Sequence, residues 1–153
     1  REAEDAGEIL SVRRMDFFRF PDCQLDVQAV NVADSLSKLI FQEQPEIIYL
    51  PHENDDHPDH QASARILRNA ISIADCCAPT ALSYEVWTPL VDYYHVENVT
   101  TMMSRKIRAI RCHKSQLAQL PYDRAATGIN LYRGATVGGC RFAEIFQHVG
   151  LIG

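Results

Sequence analysis

Glu46-Ile47-Ile48-Tyr49-Leu50-Pro51-His52-Glu53-Asn54-Asp55-Asp56-His57-Pro58-Asp59-His60 sets the architecture of this chain. The first half is a short apolar run, as a central parallel strand requires. The second half packs three histidines and three aspartates into nine residues. A polar cluster at the exit of a buried strand is where open α/β sheets place ligands and chemistry. Imidazole and carboxylate are also the donors of hydrolytic zinc sites.

On the carboxyl side, Pro58 suits the first turn of a helix, where its missing N–H costs nothing. That helix is expected over residues 58–74, with Ala62, Ile66, Leu67, Ala70 and Ile71 facing inward. On the amino side, Pro45 ends a helix over 27–42 whose stripe is Val27, Val30, Val32, Ala33, Leu36, Leu39 and Ile40, with Asp26 as its cap. Residues 12–20 read as a strand, and 81–87 and 91–96 as further extended pieces. A helix through 100–113 and another over 121–133 follow, while 141–149 fits strand or helix equally. Alternating strands and helices imply a parallel sheet covered on both faces, with the 27–42 helix as a crossover. The opening residues read as a helix already under way without a cap, so the chain is expected to be part of a longer one.

Composition bounds the function. At 153 residues, with 46% apolar and 23% charged residues, the chain is an ordinary globular domain. A net charge of −5 argues against a nucleic-acid groove. No apolar run is long enough for a membrane span, and no signal peptide is visible at the amino end. Five cysteines without a Cys-x-x-Cys pair suggest reduced thiols and a cytoplasmic setting. Association into a homo-oligomer stays open.

His57 and His60 lie three residues apart, so a helix beginning at Pro58 projects them from the same side of its first turn. One imidazole can hold a metal while the other acts as an acid or stabilises developing charge. Asp59 between them can accept an imidazole Nδ1 proton and fix the tautomer. The bland alternative is helix capping, since Asp and Pro are common at helix starts, but a cap does not need three histidines. A catalytic zinc needs about three protein ligands, and no second His/Asp cluster lies downstream. His95, His113 and His148 read as surface or packing histidines, and Trp87, Tyr93 and Tyr94 as core aromatics rather than a sugar pocket.

The segment Tyr49-Leu50-Pro51-His52-Glu53-Asn54-Asp55-Asp56-His57-Pro58-Asp59-His60-Gln61-Ala62 closely resembles the second signature of the PIG-L/LmbE-like zinc-dependent N-deacetylases. Further stretches are similar to that family in the same order. These are Glu2-Ala3 with Ala6 and Leu10; Phe20-Pro21-Asp22 with Leu25, where Cys23 stands at a usual glycine; Lys106, Ala109 and Ile110 with His113-Lys114-Ser115-Gln116; and Tyr132-Arg133-Gly134 with Ala143-Glu144-Ile145-Phe146. The resemblance implies an α/β, Rossmann-like three-layer sandwich with a mainly parallel sheet, lacking its amino-terminal strands. It implies a single deacetylase domain over 1–153, Zn2+ as cofactor, and an N-acetylglucosamine-type conjugate as the small-molecule substrate. By position, His60 is the zinc ligand, His57 faces the tetrahedral oxyanion or donates a proton, and Asp59 orients and charges His57. Asp55 is placed near the pocket as a substrate contact. The family's first signature, A-H-P-D-D, supplies the other zinc ligands and the general base, and this chain does not contain it. The chain therefore resembles the carboxy-terminal two thirds of a deacetylase and is expected to be inactive alone. Two other classes stay open: a noncatalytic binding module with a retained fold, and a metal phosphoesterase, which needs further bridging carboxylates.

Overall fold

The computed structural model describes residues 1–151. Two compact units emerge. One comprises Arg1–Phe17 with Val96–Glu144, the other Phe18–His95 with the residues from Ile145 onward. Among the described residues, four strands form one sheet in the order β1-β2-β4-β3: β1 (Ile47–Pro51), β2 (Thr80–Tyr84), β3 (His95–Asn98) and β4 (Ala143–His148). β1 and β2 are parallel, with Ile47 opposite Thr80 and Pro51 opposite Tyr84. β2 and β4 are antiparallel, with Leu82 opposite His148 and Tyr84 opposite Phe146. The sheet is therefore mixed, which corrects the expectation of a mainly parallel one.

The second unit carries the His/Asp stretch. Helix α2 (Ala29–Glu43) and helix α3 (Pro58–Ala74) pack together and seal a core built from Val32, Ala33, Ile40, Leu50, Ile66 and Leu67 among others. α3 is the crossover between the parallel strands β1 and β2. The inward positions expected for it, Ala62, Ile66, Leu67, Ala70 and Ile71, are all buried.

Four expectations fail here. Residues 12–20 form no strand, and Val12, Met15, Phe17 and Phe18 are exposed. β-Branched and aromatic content alone does not make a strand without a neighbour to pair with. β1 is an edge strand of the described sheet rather than a central one, with Ile47 and Tyr49 exposed while Leu50 is buried. Val27 and Val30 are 81% and 78% exposed, because α2 begins at Ala29 and turns Val32, Ala33 and Ile40 to the core instead. Asp26 does not cap α2; Gln28 is the N-cap, and Asp26 pairs with Arg65 of α3.

The first unit packs helix α1 (Glu2–Leu10) against helix α4 (Met103–Ile110), followed by the short helix α5 (Lys114–Leu117) and helix α6 (Tyr122–Arg133). Several residues that carry the family resemblance tie this unit together. Ser115 donates from its hydroxyl and its backbone N–H to the Glu2 carboxylate, at 2.6 and 3.0 Å. Those bonds hold Glu2 below the usual carboxylate range. Lys106 Nζ reaches Glu144 at 2.5 Å and Asn130 at 2.8 Å. The buried Asn130 donates in turn to the Ala143 carbonyl.

Candidate metal and acyl-transfer site

The site grows from the amino end of α3. Pro58 occupies the first helical turn, and His57 is the N-cap in extended conformation, φ −94° and ψ 129°. A histidine rather than an aspartate therefore caps this helix. His57 Nδ1 accepts the backbone N–H of Asp59 at 3.3 Å. An Nδ1 that accepts carries no proton, so the neutral ring bears its hydrogen on Nε2. Three residues on, His60 stacks obliquely beside it, with ring centroids 4.7 Å apart. The spacing in the sequence thus brings both imidazoles together, as expected of a first helical turn.

Asp59 behaves differently from expectation. Its two carboxylate oxygens accept the backbone N–H groups of Cys23 and Leu25, at 2.9 and 3.0 Å. Its backbone, not its carboxylate, meets His57. Asp59 therefore pins the turn around Cys23 to the start of α3.

Asp55 is sealed, with its side chain 0% exposed. One oxygen accepts His57 N–H at 3.1 Å and meets His60 Nδ1 at 2.9 Å. The other accepts Trp87 N–H at 2.9 Å and Thr88 N–H at 3.1 Å. Burial raises its pKa, but the bonds from Trp87, His60, Thr88 and His57 outweigh that and hold it below the ordinary carboxylate value. Sealed in this way, the Asp55 carboxylate presents no exposed surface to a substrate.

Four residues near the site were given no site role by the sequence. His52 is 2% exposed, and its Nε2 lies 2.7 Å from the Thr88 carbonyl, so it braces the end of β1. Asp22 and Cys23 face His57: Cys23 Sγ and Asp22 Oδ1 each lie 3.9 Å from His57 Nε2. One donor atom each from Asp22, Cys23 and His57 fall within 4.8 Å of one another, a set that suits a divalent cation. The Asp59 N–H on Nδ1 counts against it, since a cation on Nε2 would drive the proton onto Nδ1, donor against donor. Burial, then the charges of Asp22 and Asp59, push the Cys23 thiol upward. Trp87 is 45% exposed, so it is not a core aromatic, and neither are Tyr93 and Tyr94 at 46% and 72%. Its backbone N–H bond to Asp55 ties Trp87 to the site, a contact between positions far apart in sequence.

Residues 1–71 match the PIG-L family model, described as GlcNAc-PI de-N-acetylase. The chain is similar to the PIG-L family over those residues. The match takes in the His/Asp stretch with its preceding strand, and both α1 and α2. Solved structures share the fold. The conserved protein TT1542 from Thermus thermophilus is 22% identical with a TM-score of 0.80, over 99% of this chain and 72% of that one. The N,N'-diacetylchitobiose deacetylase from Pyrococcus horikoshii is 20% identical with a TM-score of 0.78, over 96% of this chain and 61% of that one. GalB, the 4-carboxy-2-hydroxymuconate hydratase from Pseudomonas putida, is 21% identical with a TM-score of 0.71, over 97% of this chain and 70% of that one. No curated protein sequence matches the chain. A deacetylase and a hydratase on one fold show that this fold does not by itself name a reaction. Among the described residues, no helix is long and apolar enough to cross a membrane.

Proposed function

We propose that this chain is a PIG-L-type protein carrying part of the site of a Zn2+-dependent N-deacetylase acting on an N-acetylglucosamine-type conjugate. The observation that carries the reading is the His60 geometry. Its Nδ1 is occupied by the buried Asp55 carboxylate, so Nε2 is the nitrogen left for a cation, on a ring 23% exposed. This is the arrangement of a metal-ligating histidine backed by a carboxylate. A Zn2+ held there would polarise an acetyl carbonyl and lower the pKa of bound water.

The chain's own residues then divide the labour. His60 holds the cation. His57, neutral and bearing its hydrogen on Nε2, donates a hydrogen bond to the oxygen on which negative charge develops. Asp59 keeps that ring in place indirectly, by fastening the 21–25 turn to the helix start while its N–H occupies Nδ1. A catalytic zinc takes about three protein ligands, so His60 is one of a set. The deacetylase among the neighbours supports the reaction class, and the family supports the amino-sugar substrate.

The test is acetate release by the full-length protein from a panel of N-acetylglucosamine conjugates, with and without a chelator. Chelator-sensitive acetate release is the expected result. Hydration of an unsaturated acid, or phosphate release, without any acetate would overturn the reading.

A further inference from the structure

We infer that Asp55 is a positioning residue for His60: it fixes the imidazole tautomer and clamps that ring to the backbone at Trp87 and Thr88. The inference rests on the reading of His60 as a metal ligand. It goes beyond it by assigning the group that prepares the ligand and by removing Asp55 from the substrate contacts.

Four donors converge on this carboxylate: the backbone N–H of His57, the His60 ring, and the backbone N–H groups of Trp87 and Thr88. An ionised carboxylate only accepts, so His60 Nδ1 must donate. In the neutral ring that leaves the lone pair on Nε2 before any metal arrives. The two oxygens are shared out, one to the loop and helix start that hold the histidines, the other to the segment after β2. Residues more than thirty positions apart in the chain therefore meet on one buried charge. His52 adds to the same junction, since it binds the Thr88 carbonyl and lies 3.6 Å from Asp55 Oδ2. The two site imidazoles consequently hold opposite tautomers. His57 keeps its hydrogen on Nε2 because a backbone N–H occupies Nδ1; His60 keeps it on Nδ1 because a carboxylate lies there.

Nitrogen-15 correlation spectra of the metal-free chain, with the His60 signals assigned from H60Q, test this without perturbing Asp55. The expected pattern is Nδ1–H for His60; a dominant Nε2–H there would overturn the inference. In D55N the Nδ1–H population should fall, and zinc should bind about 10–100-fold more weakly. The zinc-saturated full-length D55N should then lose kcat with KM little changed. A raised KM with unchanged zinc affinity would instead make Asp55 a substrate contact and end the proposal. Should D55N fail to fold, the wild-type tautomer still decides. A wild type with the expected tautomer and zinc binding but no acetate release would count against the deacetylase reading and support this one.

Discussion

A buried carboxylate ties stability to pH, and Asp55 does so in a definite direction. Its folded pKa lies below the ordinary value of about 3.9. The unfolded chain thus takes up this proton more readily than the folded one. The stability that Asp55 contributes is complete above about pH 4 and is lost as the pH falls through the folded value. D55N should therefore be less stable than wild type by about 1–3 kcal/mol at neutral pH, because buried N–H groups lose their acceptor. Urea unfolding across pH should show that gap closing in acid, and a constant gap would contradict the account. Cys23 offers a second prediction. Its backbone sits at φ 58°, where glycine is at ease, and its thiol lies 3.9 Å from His57 Nε2. Alkylating Cys23 should obstruct His57, so wild type should lose most of its turnover after maleimide treatment while C23G keeps its own. Equal sensitivity in both would assign the loss to another of the five cysteines. The adjacency of His57 and His60 was legible from their spacing in the sequence. Asp55's partners were not, since Trp87 and Thr88 reach it only through the fold.

Helix α3 is the element most fully legible in the sequence, because its proline start and 3.6-residue apolar period agree. Leu67 is 2% exposed in the core it shares with α2. L67A should cost about 2–5 kcal/mol in urea unfolding, and a loss well under 1 kcal/mol would mean that this face is not packed as described. The end of α6 tests a different constraint. A Cβ on Gly134 would sit 2.6 Å from the Arg141 carbonyl oxygen and 2.7 Å from that of Cys140. Backbone atoms cannot swing aside as a side chain does, so G134A should destabilise by about 1–3 kcal/mol, read as a lowered Tm. By contrast, residues 141–149 fitted two periods equally, and antiparallel pairing with β2 made the central part of that stretch β4. Residues 12–20 had strand-like composition but found no pairing partner.

Taken across the molecule, the α/β class and the parallel β1–β2 pair follow from strand, helix and strand in succession. The mixed sheet does not, because the direction of β4 depends on a path of some sixty residues after β2 with no short-range signal. The family reading rests on the same His/Asp stretch that the fold places at the exit of β1. On the proposed reading, function depends on how two neighbouring imidazoles share their work. Zinc content and acetate release, measured together on full-length wild type, H60A and H57A, separate them. H60A should lose bound zinc and activity together. H57A should keep near-normal zinc while its kcat falls about 10²–10³-fold, the usual cost of removing one oxyanion donor. Zinc retained in H60A, or lost equally in H57A, would contradict the assignment of the metal to His60.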